Sequence, residues 1–515
     1  MSTAFPFQGV TLPVQGSKGA VASESAICSQ IGIDLIARGG NAADAMVGTT
    51  LCVGVIGMYH SGIGGGGFIL IRDADGNYES IDYRETAPAA AYEEMYQGNI
   101  LGSLLGGLAA GVPGELRGLE YLHNKYGALP WRAVVNPAIH VARDGFEVSE
   151  DLVRYMDAGA SNPPGNFLVE DPVWAEDFAP NAESIVKAIQ DTNGTMTLYD
   201  LKNYKALIKR PISIDFRGKK LYTTSAPSSG SVMLSILKTM EQYDPDDIQD
   251  VNLTTHRFGE AMRFAYGARL ELGDPDFVSN IELYEDVMLS KRKAKEIRNR
   301  IIDNSTQPIE EYNPKAIHAV EDHGTSHIVA ADAAGMVVTS TTTINTLFGS
   351  QVMTPDTGII LNNEMNDFSI PGVRNEFGFV PTAANYIRPN KRPLSSITPI
   401  IAEHANGTVF FTTGAAGGSR IISATTQVAW HVLEHGMTMA EAIAAPRLHD
   451  QLMPNQVTFE YTYDNGTVES MVEKGHNVTW VRLGVSAVQG IRMLWNGSFE
   501  AASEMRQKNS GGRSI

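Results

Sequence analysis

The sequence predicts an α/β protein in which helices cover layers of strands. Residues 23–38 have the apolar spacing of a helix, and a second helix is predicted from about Asn41. After residue 324 the pattern changes to two strand-like runs joined by a short turn, which is typical of a β-hairpin. A further strand at 408–418 leads into a helix at 422–436. Strands and helices that follow one another in this way favour α/β layers within one domain.

The other elements follow from the same patterns in chain order. Two consecutive glycines at 39–40 end the first helix, and the hairpin turn falls at 333–335. The remaining predictions are a strand at 68–76 behind a glycine loop, helical spacing over about 110–270 with a strand-like interruption at 219–227, a charged surface helix at 285–303, and a polar stretch at 304–324.

Composition indicates a soluble globular protein that does not bind nucleic acid. The 515 residues are 43% hydrophobic and 19% charged, which disfavours extensive disorder. A formal net charge of −18 is unsuited to a polyanionic partner. The most apolar stretch, residues 45–58, is too short and too rich in glycine to span a bilayer. The first ten residues lack the basic start and apolar core of a signal peptide.

Two short motifs match known binding signatures, but the segments around them do not have the predicted structure that such sites require. Gly62, Gly64 and Gly67 fit GxGxxG, but here a helix precedes the motif and a strand follows it, the reverse of a dinucleotide site. We therefore expect close backbone packing at these glycines. His431 and His435 fit the inverted zinc pattern HxxEH on a predicted helix, but candidate third ligands are few. A packed or surface histidine pair is the favoured interpretation.

The stretch GTSH, residues 324–327, places reactive side chains where a strand begins. If the Gly324–Thr325 bond is cut, the Thr325 hydroxyl becomes a nucleophile and its own α-amino group a base. The pKa of an α-amino group is about 7.7–8.0, so the group can accept a proton near neutral pH. By itself this tetrapeptide is more often an ordinary turn, and the hypothesis needs further support.

That support comes from a series of segments that resembles the γ-glutamyltranspeptidases (glutathione hydrolases). These enzymes belong to the N-terminal nucleophile hydrolases. The matching segments run in order along nearly the whole chain: GGNAADAMVG (39–48), HSGIGGGGFIL (60–70), DYRETAPAAA (82–91), AAGVPGELRGLEYLHNKYGALPW (109–131), GTMTLYDLKNY (194–204), APSSGSVM (226–233), GDPDFV (273–278), GTSH (324–327), TTTINTLFGS (341–350), GIILNNEMNDFS (358–369), KRPLSSITP (391–399), GAAGGSRI (414–421) and APRLHDQLMP (445–454).

The resemblance implies a four-layer αββα sandwich that matures by self-cleavage. Residues 1–324 would form a large chain and residues 325–515 a small chain, and together they would build one domain. Thr325 matches the nucleophile, and Thr343 matches a second threonine that positions it. Gly417 and Gly418 match the oxyanion hole, in which backbone N–H groups stabilise a tetrahedral intermediate. His327 is expected to be a support rather than a catalytic relay.

The remaining matches concern the two ends of a γ-glutamyl group. Arg84 matches the residue that binds the α-carboxylate, a role suited to the forked guanidinium. Ser395 and Ser396 match hydroxyls that bind the same carboxylate from the opposite side. The α-amino end is matched by three further residues: Asn345, Glu364 and Asp367.

The resemblance implies a two-step reaction on small-molecule substrates. Thr325 would attack the γ-amide of glutathione, of its S-conjugates or of another γ-glutamyl compound. Water, an amino acid or a dipeptide would then accept the γ-glutamyl group. No cofactor or metal is expected.

The chain departs from the family pattern at two places. A segment of some tens of residues is missing near 180–181, and no N-terminal signal or anchor is recognised. Cys28 and Cys52 can form one disulfide, as in eukaryotic members. The sequence also has glycosylation sequons, at Asn193, Asn252, Asn304, Asn406, Asn465, Asn477 and Asn496. The sequons and the family point to the secretory pathway, with an extracellular, membrane-surface or vacuolar location.

Two alternatives remain open at this point. The chain can be an acylase of the cephalosporin-acylase type that acts on another amide, although Arg84 and its companions favour a γ-glutamyl head. It can also be an uncut, non-catalytic homologue. The missing segment near 180–181 favours this alternative, whereas the intact GTSH argues against it.

Overall fold

The elements of the fold are taken from a computed structural model, which describes residues 15–160, 167–170, 174, 182–312, 324–372 and 381–515. The helices are α1 (Ala26–Ala37), α2 (Ala42–Ile56), α3 (Glu115–Tyr126), α4 (Trp131–Asp144), α5 (Glu150–Ala160), α6 (Phe167–Glu170), α7 (Ala182–Asp191), α8 (Leu198–Asn203), α9 (Gly230–Met240), α10 (Val251–Arg269), α11 (Ile281–Leu289), α12 (Lys291–Arg300), α13 (Arg420–Glu434), α14 (Met439–Ala444) and α15 (Asn465–Glu473). The strands are β1 (Gln15–Gly16), β2 (Gly19–Ser23), β3 (Gly66–Arg72), β4 (Tyr78–Asp82), β5 (Leu207–Lys209), β6 (Ile212–Phe216), β7 (Lys219–Thr223), β8 (Gly324–Asp332), β9 (Val337–Asn345), β10 (Ile400–Glu403), β11 (Val409–Ala416), β12 (Leu448–His449), β13 (Val457–Glu460), β14 (Val478–Val481), β15 (Ala487–Met493), β16 (Phe499–Ala502) and β17 (Gly511–Ser514).

Two seven-stranded sheets form the centre of the domain. The first sheet has the order β1-β16-β15-β11-β10-β7-β6, and the second has the order β17-β2-β8-β9-β3-β4-β5. Neighbouring strands in both sheets are antiparallel. A small third sheet, β12-β13-β14, lies apart from them.

In strand β8, alternate side chains face different layers of the fold. Val329 and Ala331 point into the apolar cluster between the two large sheets, whereas Ile328 and Ala330 point into the cluster shared with helices α1, α2, α3 and α4. Successive side chains of a strand face opposite sides, so a run that is apolar throughout is buried on both faces. On the other side of the molecule, α9, α10 and α13 cover the first sheet. The predicted αββα sandwich is confirmed.

The first two helices form where the sequence predicts them. Ser25 caps α1 by accepting a hydrogen bond from the Cys28 backbone, and Asn41 caps α2 with a reciprocal bond to Asp44. Such caps satisfy backbone donors that have no partner within the helix. A disulfide between Cys28 and Cys52 joins the two helices, with 5.3 Å between their Cα atoms. The predicted disulfide is confirmed.

The single helix predicted over 285–303 is wrong, because the structure has two helices there. Ser290 adopts an extended conformation that ends α11 and caps α12, and its hydroxyl accepts a bond from the Lys293 backbone. Serine competes with the helix for backbone hydrogen bonds and so favours a cap over a helix interior. Of the predicted polar stretch 304–324, residues 313–323 lie outside the described residues.

The glycine loop before β3 is a place of backbone crowding, as predicted. A Cβ atom at Gly65 would overlap the carbonyl oxygen of Thr343, and one at Gly67 would overlap that of Thr341. Glycine is needed here so that β3 can approach β9. Within the described ranges, the helices are too short or too polar to cross a membrane.

The two histidines of the HxxEH pattern lie at the end of α13, where His431 belongs to the last turn and His435 is the exposed C-cap residue. The rings of His431 and His435 lie 5.5 Å apart, and burial lowers the pKa of His431 to about 3. The intervening Glu434 pairs with Arg217 at 2.6 Å, which directs its carboxylate to another element. This geometry agrees with a histidine pair at the end of a helix.

Candidate active site

Strands β8 and β9 bring the two predicted threonines face to face. Thr325 pairs with Thr343, and the register shifts between Gly324 and Thr325. In this uncut chain the Thr325 hydroxyl donates to Thr343 Oγ1 at 3.3 Å, and Thr343 Oγ1 donates to the Gly324 carbonyl oxygen at 2.6 Å. The backbone N–H of Asn345 donates to Thr343 Oγ1 at 2.8 Å. One hydroxyl therefore contacts both the candidate nucleophile and the carbonyl on its N-terminal side.

His327 supports this strand pair and takes no direct part in it. Its Nδ1 is 2.8 Å from Thr341 Oγ1, and its Nε2 is 3.1 Å from Thr339 Oγ1. Burial lowers its pKa to about 3, so the ring is neutral at physiological pH. A Cβ atom at Gly414 would overlap this ring, which shows how closely the two sheets pack here.

Arg84 is buried with carboxylates on two sides. Its guanidinium forms ion pairs with Glu364 and Asp367, and Glu85 lies 3.8 Å away. Burial by itself would lower the pKa of Arg84, but Glu364 and Asp367 raise it above its ordinary value. Burial raises the pKa of Glu85. Glu364 and Asp367 start and end one 3-10 turn, and this places both carboxylates at the same guanidinium.

This contact differs from the arrangement that the sequence predicts. The prediction places Arg84 at one end of a zwitterion and Glu364 and Asp367 at the other, whereas the structure pairs them directly. Asn345, the third predicted member of the amino-binding group, donates from its amide nitrogen to the Asn363 carbonyl at 2.9 Å. Its Oδ1 is buried and, among the described residues, accepts no hydrogen bond. It is therefore a buried acceptor without a hydrogen-bond donor among the described residues.

Ser395 and Ser396 lie on another wall of the same pocket. The Ser395 hydroxyl accepts a bond from the Ile397 backbone at 3.2 Å, and its backbone carbonyl accepts one from Ser229 Oγ at 2.6 Å. Arg269 donates to Ser396 Oγ at 3.1 Å. These bonds fix both serines in the loop that precedes β10.

Gly417 and Gly418 form the turn between β11 and α13. Their φ angles of 123° and 57° lie in the range that favours glycine. A side chain at Gly417 would crowd the Val485 carbonyl, 2.6 Å from the position of its Cβ. The turn leads into the N-terminus of α13, where the helix dipole favours negative charge. Such a turn is suited to binding an oxyanion.

One pocket collects most of the predicted residues. Its walls include these predicted residues: Arg84, Thr325, Thr343, Asp367, Ser395, Ser396 and Gly418. Three others stand just behind the wall: Asn345 bonds to Thr343, Glu364 pairs with Arg84, and Gly417 precedes Gly418.

The pocket is also lined by residues that we did not predict from the sequence, and two polar ones among them lie on a single helix. Tyr266 and Arg269 both come from α10, where their spacing of three residues places them on one helix face. The Tyr266 hydroxyl donates to the Ser419 carbonyl at 2.6 Å, next to the glycine turn. In the sequence, these two residues are recognisable only as polar side chains near the end of a predicted helix. That pattern does not indicate that they line a pocket.

Within the described ranges one group of side chains has the composition of a metal site. His256, Glu260 and His476 are buried together, with ligand atoms within 4.8 Å of one another. They already bond to each other and to their surroundings: His256 Nδ1 is 2.8 Å from His476 Nε2, and its Nε2 donates to the Ile302 carbonyl at 2.8 Å. Tyr312 donates to Glu260 at 2.8 Å. None of the three lines the pocket.

Two antiparallel sheets between helical layers, with a threonine near the start of a central strand and facing a pocket, define an N-terminal nucleophile hydrolase fold. Among solved structures, cephalosporin acylase from Bacillus halodurans matches with a TM-score of 0.84 over 100% of this chain and 99% of that chain. The sequences are 22% identical, so this likeness concerns the fold alone.

Sequence comparison identifies the family. The family model for gamma-glutamyltranspeptidase matches residues 28–184 and 180–513. A glutathione hydrolase proenzyme of Arthroderma benhamiae is 48% identical over 96% of this chain and 93% of its own length. A glutathione hydrolase of Aspergillus flavus is 45% identical over 96% of this chain and 89% of its own length. The chain belongs to the γ-glutamyltranspeptidase family, whose enzymes hydrolyse and transfer γ-glutamyl groups.

Proposed function

We propose that this enzyme cleaves the γ-glutamyl bond of glutathione, its S-conjugates and related compounds through an ester on Thr325. The observation that carries the proposal is the contact of Thr343 with both the Thr325 hydroxyl and the Gly324 carbonyl, in the pocket that also contains Arg84. A relative that is named a proenzyme supports a maturation step, which we place at the Gly324–Thr325 bond.

Maturation would begin with attack of Thr325 Oγ1 on the Gly324 carbonyl carbon. Thr343 donates to the oxygen of that carbonyl at 2.6 Å, so it stabilises the negative charge that develops there. The tetrahedral intermediate expels the Thr325 nitrogen, which takes up a proton, and leaves an ester between Gly324 and the threonine hydroxyl. Water hydrolyses that ester and releases a large chain, 1–324, and a small chain, 325–515, which remain associated.

Turnover would use the amino group that the cut creates. The Thr325 amine accepts the proton of its own hydroxyl, and the oxygen attacks the γ-carbonyl of the substrate. The N–H groups of Gly417 and Gly418 stabilise the tetrahedral oxyanion, and Cys-Gly or another amine leaves with a proton. Water, an amino acid or a dipeptide then takes the γ-glutamyl group from Thr325.

When the γ-glutamyl head binds, Arg84 and the two carboxylates would each exchange their present ion-pair partner for a group of the substrate. The net charge of the pocket would stay the same. The substrate carries one carboxylate and one ammonium group. The carboxylate pairs with Arg84 and the hydroxyls of Ser395 and Ser396, while the ammonium pairs with Glu364 and Asp367. Each buried charge therefore keeps an opposite charge beside it, which avoids the large cost of an unpaired buried ion. The buried, unpaired Oδ1 of Asn345 offers a further acceptor to the ammonium.

A denaturing gel combined with an anilide assay tests the proposal. The wild-type protein should separate into chains 1–324 and 325–515 and should release p-nitroaniline from γ-glutamyl p-nitroanilide. Thr325→Ala should remain a single inactive chain, and Thr325→Ser, which keeps a hydroxyl, should still be cut. A wild-type chain that stays uncut and inactive would refute the proposal and favour the non-catalytic alternative.

We further propose that the protein enters the secretory pathway. The asparagine of every predicted sequon is exposed, namely Asn193, Asn252, Asn304, Asn406, Asn465, Asn477 and Asn496. Exposure is a requirement for glycan attachment, and the disulfide is typical of an oxidising compartment. Unchanged gel mobility of the native-source protein after treatment with an N-glycosidase would argue against this location.

A further inference from the structure

The face of α10 that reaches the pocket connects the two chains of the proposed mature enzyme. Arg269 belongs to residues 1–324, and its guanidinium donates to Ser396 Oγ of the small chain at 3.1 Å. The same guanidinium donates through Nε to Ser229 Oγ at 2.9 Å. Ser229 in turn donates to the Ser395 carbonyl at 2.6 Å. Arg269 is thus connected to both serines, directly to one and through Ser229 to the other.

The hydroxyls of Ser396 and Ser395 each accept one hydrogen bond, from Arg269 and from the Ile397 backbone respectively. A guanidinium has donors and no acceptor, whereas a hydroxyl has one proton and two acceptor lone pairs. Ser396 Oγ accepts from Arg269, so its own proton is left to donate elsewhere, and Ser396 lines the pocket. Ser395 Oγ accepts from the Ile397 backbone, so its proton is likewise left to donate. Both hydroxyls are prepared to donate to an anion in the pocket.

Arg269 also adds positive charge to the same wall. Within the described ranges no carboxylate lies within 4.0 Å of its guanidinium, in contrast to Arg84. Burial lowers the pKa of Arg269, Tyr266 and Asp367 raise it and Arg84 lowers it, but a guanidinium stays protonated in proteins. A carboxylate in the pocket would therefore meet two guanidinium groups, those of Arg84 and Arg269.

We propose that Arg269 is a positioning residue that makes the enzyme selective for the α-carboxylate of the substrate. It acts on the Ser396 hydroxyl directly, and through Ser229 it holds the Ser395 backbone carbonyl and so the segment that carries both serines. It also adds positive charge behind them. This inference rests on the proposed γ-glutamyl function. It adds a specificity element from the large chain that the family resemblance does not assign.

The test compares two anilides that differ only in the α-carboxylate. γ-Glutamyl p-nitroanilide carries that group, and 4-aminobutyryl p-nitroanilide lacks it but keeps the amine and the scissile amide. For Arg269→Gln, we expect the ratio of kcat/KM between the two anilides to fall about 10- to 100-fold, the loss typical of a charge-assisted hydrogen bond. The change should appear in KM for the γ-glutamyl substrate, while kcat/KM for the 4-aminobutyryl substrate stays within about threefold. Cleavage into two chains should be unchanged.

Two further variants separate positioning from folding. Arg269→Lys keeps the charge but loses the two-pronged contact, so it should recover part of the selectivity. Arg257→Lys changes another arginine of α10, which pairs with Asp303 and does not line the pocket, and its selectivity should match that of the wild type.

The outcomes are distinguishable. Equal loss of activity on both anilides in Arg269→Gln and Arg269→Lys, or an unchanged ratio, would overturn the role of Arg269. A wild-type enzyme that is inactive on γ-glutamyl p-nitroanilide would overturn the proposed function itself. The role of Arg269 in that function would then be refuted as well.

Discussion

Replacing Thr343 with valine tests the maturation step most directly. Valine has the shape of threonine and suits a strand equally well, so the change removes one hydroxyl and little else. Three contacts disappear with it: the bond from Thr325 Oγ1 at 3.3 Å, the bond to the Gly324 carbonyl at 2.6 Å and the bond from the Asn345 backbone at 2.8 Å. Two of these involve atoms that react during self-cleavage.

The expected magnitude follows from the contact with the Gly324 carbonyl. Loss of one well-placed oxyanion donor slows acyl transfer by about 10²- to 10³-fold. Self-cleavage of Thr343→Val should slow by at least this factor, because Thr343 is also the acceptor of the Thr325 hydroxyl. The buried N–H of Asn345 loses its side-chain acceptor as well, which costs about 1–3 kcal/mol of stability. The variant should therefore accumulate as a folded but less stable precursor.

The assay follows the precursor after a short pulse of labelled synthesis. Samples taken over time are separated on a denaturing gel, and loss of the 515-residue chain gives the cleavage rate. Thr343→Ser keeps the hydroxyl and is the matched control, so its rate should stay within about tenfold of the wild type. If Thr343→Val is cut as fast as the wild type, the Gly324 carbonyl does not depend on Thr343, and the proposed maturation chemistry is wrong.

Two further predictions concern recognition and pH. Arg84→Lys loses the two-pronged contact with a carboxylate, so KM for γ-glutamyl p-nitroanilide should rise about 10- to 100-fold. Self-cleavage should remain intact. If self-cleavage is lost, Arg84 has a structural role instead. His327 has a pKa lowered to about 3 by burial, against about 6.5 in an unfolded chain, so the unfolded state binds more protons between these values. The free energy of unfolding should therefore rise with pH across this window by up to about 1.4 kcal/mol per pH unit for this histidine. In urea titrations of the uncut Thr325→Ala protein, His327→Gln should reduce this pH slope, and an unchanged slope would show that His327 is not the group responsible.

The sequence predicted the strands at the site better than it predicted the contacts between distant segments. The run after 324 and the turn at 333–335 fix a local hairpin, and this hairpin places Thr325 opposite Thr343. The site residues came from the family resemblance rather than from any local pattern. Arg269 and Ser396, which form a hydrogen bond, are 127 residues apart in the sequence. No periodicity in either segment predicts this contact. The same holds for Arg84, whose pairing with carboxylates depends on how β4 meets a distant 3-10 turn.

The order of strands in the second sheet would keep the active site assembled after the proposed cut at Gly324–Thr325. In this sheet the strands β8 and β9 of the proposed small chain lie between β2 and β3 of the proposed large chain, and β17 of the proposed small chain lies beyond β2. Every strand hydrogen bond of β8 beyond Gly324 is therefore made to a neighbour that the cut leaves in place.

The register shift at the cleavage point places the reactive bond at the edge of this paired region. Gly324 pairs with Asn345 and Thr325 with Thr343, so the ladder is irregular between the two residues of the scissile bond. The proposed cleavage would free the α-amino group of Thr325 at the end of a strand that is paired on both sides from Val329 onward. The nucleophile and its base can thus be created without rebuilding the pocket, because Arg84 and Arg269 on one chain already contact their partners on the other.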